Sequence, residues 1–195
     1  AVFGIDNFEV YAVLGILVFF CVAEILAGYL PKRSLDDWIQ EFGGFLMLAA
    51  IIKPLIVFLG FQLGEILIPN FQNQFANLSL WITLPTFLLF DDFIQYWHHR
   101  FSHEYSFLWK LHRPHHQAKE MGFFVSFRNS GLFYFIFPNI WWLAIFIFLG
   151  GTKAAIIGVV FKQLIVIASH STLKWDAILY KYEFLNPLTT IIERT

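Results

Sequence analysis

Six of the chain's seven histidines lie between His98 and His116, in the run Asp92-Phe-Ile-Gln-Tyr-Trp-His-His-Arg-Phe-Ser-His103 and then Leu108-Trp-Lys-Leu-His-Arg-Pro-His-His116. His99 and His103 are four apart, and His112, His115 and His116 are spaced three and one, so on helices each set turns imidazoles toward a common point. Two such sets joined by a short connection can hold a dinuclear metal centre. Neutral imidazole suits iron, zinc or copper better than calcium or magnesium, and with no cysteine nearby this is not a thiolate site. A solvated basic turn at a membrane surface is the plainer alternative, but histidines rarely gather at this density without a ligand role. His98, adjacent to His99, points about 100° away from it and is left as an optional seventh donor.

The elements that must position these side chains are written in the composition. With 58% hydrophobic, 20% aromatic and only 14% charged residues, the 195-residue chain lies outside the range of soluble globular domains and reads as one polytopic membrane domain, all-α. A net charge of −1, with no basic patch interleaved with aromatics outside the histidine region, argues against nucleic-acid binding. The single cysteine, Cys21, sits in an apolar run and excludes a disulfide framework or a CxxC motif. A bilayer crossing needs about 20 apolar residues. Five segments qualify: Val10 to Leu30, Phe42 to Pro69 with a kink expected at Lys53-Pro54, Leu78 to Trp97, Gly131 to Leu149, and Ala154 to Ser169. The last two meet at Gly150-Gly151-Thr152, which predicts a tight hairpin, and Pro31 to Glu41 and Phe71 to Asn77 are expected loops. The expected architecture is thus a bundle of four to five transmembrane helices. Threading them puts every lysine and arginine except Lys53, Lys153 and Lys162 on the histidine side, which the positive-inside rule makes cytoplasmic.

Two carboxylates and one further histidine stand close to the boxes. Asp91 and Asp92 fall on adjacent helical stripes, Asp91/Gln95/His98/Ser102 and Asp92/Tyr96/His99/His103. Asp92 is about 10 Å along the axis from His99, so it can orient an imidazole from a neighbouring helix or pair with Arg100 or Arg128. His170, ending the last apolar run, returns toward the boxes and serves either as a ligand or as a capping histidine.

The pattern Asp-x-x-x-Tyr-Trp-x-His-Arg-x-x-His, then Leu-Trp-x-x-His-x-x-His-His, resembles the fatty acid hydroxylase and sterol desaturase superfamily of membrane di-iron enzymes. The resemblance is dense from Asp92 to Arg128 and continues to the Ser-His-Ser around His170. It implies a ligand set of His99, His103, His112, His115, His116 and His170, roles at the catalytic centre for Asp92 and Tyr96, and two iron ions, with zinc as an alternative occupant of isolated protein. Val125-Ser-Phe-Arg-Asn-Ser130 looks like the arginine-x-serine variant found near alkylglycerol monooxygenases. The family also carries a third cluster, His-x-x-His-His, and Lys181 to Thr195 resembles the approach to it. The expectation is therefore a chain cut short before that cluster.

Three functions from different classes are consistent with these residues. The first is a lipid hydroxylase or desaturase using dioxygen and electrons from a separate donor protein, since neither a flavin nor a nicotinamide motif is present. Its substrate groove would draw on Phe123, Phe124, Phe127, Phe133, Tyr134, Phe135, Phe137, Trp141 and Trp142. The second is a catalytically incomplete member serving as a lipid-binding or accessory subunit of a larger membrane complex. A metal transporter fits least, because its ionisable groups belong at the bilayer midplane.

Overall fold

Ser34 opens the longest helical stretch among the described residues by accepting a hydrogen bond on its hydroxyl from the Asp37 backbone N–H at 3.2 Å. Two acids in the first turn, Asp36 and Asp37, complement the exposed N–H groups there. The structure, a computed structural model, describes residues 7–29 and 34–173. Its helices are α1 (Asn7–Leu26), α2 (Leu35–Leu46), α3 (Lys53–Leu67), α4 (Leu80–Glu104), α5 (Ser106–His116), α6 (Gly131–Ile136), α7 (Pro138–Phe148) and α8 (Thr152–His170), with no strand among the described residues. The fold class is all-α, as the sequence leads one to expect. The Ser34 cap corrects the expected loop at Pro31 to Glu41, of which residues 35–41 are helical. Its first residues lie outside the described ones.

Between α2 and α3 the backbone does not break at Lys53-Pro54. Met47–Ile52 is a π-helical turn, after which α3 begins with Pro54 in its first turn. Proline lacks an N–H and its ring crowds the carbonyl one turn earlier, and the wider π turn takes up that mismatch without ending the helix. The continuous segment 35–67, together with α1 and α8, supplies the three helices among the described residues that are long and apolar enough to cross a bilayer. In lipid a helix is favoured because it satisfies every backbone polar group internally. Helix α4 has the length, but Asp91, Asp92 and Gln95 make it too polar to rank with those three.

The expected span from Gly131 to Leu149 is divided. Phe137 takes an extended conformation (φ −66°, ψ 109°), separating α6 from an α7 of 11 residues. Proline at 138 disfavours helical geometry at the residue before it, and that is the cause. At the other end of α7 the expected hairpin is present: Gly150 lies in the left-handed region (φ +92°), and Gly151 N–H closes onto the Phe146 carbonyl at 2.9 Å. The loop after α3 seals the same helix end, with Asn73 and Phe75 N–H donating to the Phe148 and Leu149 carbonyls.

Packing brings α3 onto α7, α4 onto α5, α7 and α8, and α1 onto α8. Gly60 allows the first contact, since a Cβ there would stand 2.5 Å from the Ala144 Cβ. Such small-residue approaches hold membrane helices together by close packing. One core cluster joins Val57, Phe87, Leu143, Ala144, Phe146, Ala154 and Ala155. A second joins Leu17 and Phe20 of α1, Ile167 of α8 and the segment Phe123, Phe124 and Phe127. Charges inside the bundle are paired, Lys53 with Glu9 and Lys162 with Asp91, as an apolar surrounding demands. Buried Glu24 of α1 accepts from Phe123 N–H at 2.9 Å and Thr172 N–H at 3.1 Å, tying α1 to both segments that flank the histidines.

Candidate metal centre

Helix α4 ends at Glu104, and α5 starts two residues later and folds back against it, so the two histidine boxes face each other. Nitrogen atoms of His99, His103, His112 and His116 all lie within 4.8 Å of one another. The Nε2 atoms of His99 and His103 are 3.2 Å apart, and those of His112 and His116 are 3.1 Å apart. A second nest adjoins the first. His115 Nε2 lies 3.1 Å from His170 Nε2, and the His112 and His115 rings stack with centroids 5.2 Å apart. All six expected ligands are thus gathered in a four-plus-two arrangement.

Neighbouring groups fix which nitrogen two of the rings offer. The His170 Nδ1 lies 2.7 Å from the Val166 carbonyl, which can only accept, so Nδ1 carries the proton and Nε2 keeps its lone pair. His112 Nδ1 faces Asn129 Oδ1 at 3.3 Å with the same result. Burial pushes the His112 imidazole down to about 3 and His115 down to about 2, with the neighbouring histidines adding to the effect. Both rings are therefore neutral at physiological pH, the form a metal requires. The donor set of nitrogen atoms with free lone pairs fits a transition metal such as iron or zinc.

Other expected site residues lie elsewhere. Asp92 and Tyr96 are exposed on α4, and the Tyr96 hydroxyl accepts from Arg100 at 3.3 Å. Neither lines the cavity described below. Of the two α4 stripes, the one carrying Asp91, His98 and Ser102 is buried, because α7 and α8 cover it, whereas α5 reaches only the last turns of the other. His98 packs between Phe133 and Phe137, with ring centroids at 4.9 and 5.0 Å, outside the four-histidine group. Arg128, one candidate partner for Asp92, instead pairs with Asp37 at 2.5 Å and Glu41 at 3.8 Å, and Arg100 pairs with Glu104. Asn129 is the site residue that sequence reasoning missed. It lies 17 residues from His112 in an irregular segment, where no periodicity announces it.

A cavity of about 560 Å³ opens from the imidazoles into the bundle, reached by His99, His112, His115, His116 and His170. Leu48, Val125, Ile140, Leu143 and Val159 give it an apolar wall. Of the aromatic residues expected to form a groove, Phe127, Phe133, Tyr134 and Phe137 line it. Phe123 and Phe124 pack on Trp38, and Trp142 stacks on Phe87. An apolar cleft with a few convergent polar groups is the usual form of a small-molecule site.

Comparison with known proteins gives one positive result: residues 84–192 match the family model described as fatty acid hydroxylase. No curated protein and no solved structure matches the chain.

Proposed function

The chain belongs to the fatty acid hydroxylase family, and from that premise we propose that it is a membrane-bound di-iron oxygenase that hydroxylates or desaturates a lipid. The family implies a membrane oxygenase of the lipid hydroxylase or desaturase type. The observation that carries the finer reading is the pair of adjoining imidazole nests at the mouth of a largely apolar cavity. His99, His103, His112 and His116 would hold one iron, and His115 and His170 would contribute to a second.

Iron bound there supplies dioxygen activation and oxidation of an unactivated C–H bond. The chain's own residues do the rest. Asn129 and the Val166 carbonyl hold the His112 and His170 rings with Nε2 presented. The apolar wall keeps water from the reacting carbon and receives the lipid chain. Hydroxylation balances as a lipid C–H bond, dioxygen, two electrons and two protons giving an alcohol and water, and the electrons come from a separate donor protein. Lys110, Arg113 and Lys119, exposed beside the boxes, offer an acidic donor a place to dock. The lysine and arginine asymmetry supports a cytoplasmic position for the site.

The two-donor nest favours one competing reading. Among the described residues only His115 and His170 converge there, fewer donors than a metal takes, which suits an incomplete member acting as a lipid-binding or accessory subunit. Metal analysis of intact protein and mass spectrometry of lipids from cells with and without the gene separate the two. The oxygenase reading expects iron that is lost in His112→Ala, and a lipid that gains one oxygen or loses two hydrogens. Full iron retention in that variant overturns the ligand assignment, and an unchanged lipid profile in cells making iron-loaded protein favours the accessory role.

A further inference from the structure

The four-histidine nest has two sides. His99, His112 and His116 line the cavity, whereas His103 does not, and neither does Trp109. Trp109 lies across that outer side, its ring centroid 5.4 Å from that of His103 and 5.5 Å from that of His116. His103 and His116 are exposed and Trp109 is partly so. Phe133 meets the nest from the cavity side, against His112. Helix geometry sets the next neighbours: around α5 the order runs His112, His116, Trp109, Arg113, Lys110 over about 160°. The indole therefore stands between two metal ligands and two exposed cations, and exposed Lys119 follows just beyond the helix end. Glu104, the acid nearest to Trp109 along the chain, is held by Arg100 at 2.9 Å, so the surface around the indole is positive.

We propose that Trp109 is the electron port of the site: an acidic one-electron carrier protein docks on Lys110, Arg113 and Lys119 with its redox group against the indole, and electrons reach the iron through that ring and the His103 and His116 imidazoles. The inference rests on the oxygenase reading, which draws its electrons from outside the chain. It also separates their path from that of the lipid, which meets the nest from the cavity. Each pass oxidises the carrier by one electron and reduces one ferric ion to ferrous, with no bond made or broken at Trp109. Two passes serve one lipid. Electron tunnelling weakens steeply across gaps, and a ring in contact with two ligands closes the gap between carrier and metal. A central aromatic ringed by cations also suits a short-lived protein contact, the ring supplying affinity and the charges speeding encounter.

The test is anaerobic stopped-flow reduction of the iron-loaded full-length protein in detergent, with a reduced plant-type ferredoxin as the acidic carrier and dithionite as a reductant too small to need docking. In Trp109→Leu the second-order rate with ferredoxin should fall about tenfold or more, the cost of truncating an aromatic anchor, with iron content and the dithionite rate unchanged. Trp109→Phe should recover most of the loss. The double variant Lys110→Gln, Arg113→Gln leaves the ring contacts in place and should flatten the salt dependence of the ferredoxin rate. Oxidised ferredoxin should bind metal-free protein as well, more weakly as salt rises. A ferredoxin rate unchanged in Trp109→Leu, ferredoxin and dithionite rates that fall together, or ferredoxin binding indifferent to salt overturns the port. Should Trp109→Leu lose its iron, the double variant decides, and a ferredoxin rate equal to wild type in it overturns the port. Reduction through Trp109 without oxidation of any lipid keeps the port and removes the oxygenase reading, whereas ferredoxin-driven lipid oxidation undiminished in Trp109→Leu does the reverse.

Discussion

An imidazole serves a metal only when one ring nitrogen is occupied and the other keeps its lone pair, and at His112 that division is set by Asn129. Asn129→Ala should weaken metal binding about 10–100-fold, the usual effect of removing a partner behind a ligand, as read by chelator competition. Affinity unchanged from wild type would show that the contact does not matter. The same rings make metal-free protein sensitive to acid. Their folded values, about 3 for His112 and about 2 for His115, lie below the ordinary 6.5. The unfolded chain therefore binds more protons between those limits, and stability present above about 6.5 declines as pH falls toward the folded values. The unfolding midpoint of metal-free protein should fall between pH 7 and pH 5, and fall less in the double variant His112→Phe, His115→Phe. A midpoint flat across that interval would contradict the burial of these rings. At this scale the sequence was informative wherever spacing carries direction: the step of about 100° per residue separates His98 from His99. It carries less at Asp92 and Tyr96, which share a stripe with His99 yet line no part of the cavity, because a stripe records which residues share a face and not how far along that face a neighbour packs.

Helix beginnings were the least legible feature, although both errors had a chemical signal in the chain. Ser34 followed by two acids is an N-cap pattern, and Phe137-Pro138 is a helix boundary, yet hydropathy alone reads through both. The segment between the boxes and α6 has no periodicity, and its position depends on long-range ties that no local reading finds. Glu24 accepts from Phe123 N–H, and Arg128 donates to Asp37 and to the Pro114 carbonyl at 2.9 Å. Arg128→Met should therefore destabilise the protein by about 3–5 kcal/mol, because it leaves a buried carboxylate at Asp37 without its cation. Thermal unfolding in detergent measures this, and adding Asp37→Asn should restore part of the loss. A single variant with wild-type stability would remove the pair from the account of how Asn129 is held beside His112.

Across the whole molecule, the loop containing Asn73 and the turn at Gly150 share one end of the bundle through the Asn73–Phe148 and Phe75–Leu149 hydrogen bonds. His170 closes α8 at the end opposite Gly151. Cysteines introduced at the exposed positions Lys119 and Asn73 should accordingly react with an impermeant reagent from opposite sides of the membrane, Lys119→Cys from the cytoplasm. Labelling from the same side would overturn the topology. The all-helical membrane character was legible in composition because nothing else permits so apolar a chain to satisfy its backbone. The division of labour among helices was not, since α4 owes its place to packing against α7 and α8 and to the Asp91–Lys162 pair rather than to apolarity. The π turn at Met47–Ile52 gives this architecture a genetic dimension. Loss of one codon inside it would keep the reading frame and turn the wide turn into an ordinary α turn, and because a π turn holds one residue more than an α turn, the helices on either side would keep nearly the same relative rotation. Lys53 would still face Glu9, whereas the same loss a turn further along in α3 would swing every later side chain by about 100°, so this stretch is where the helix tolerates a change in the number of its residues.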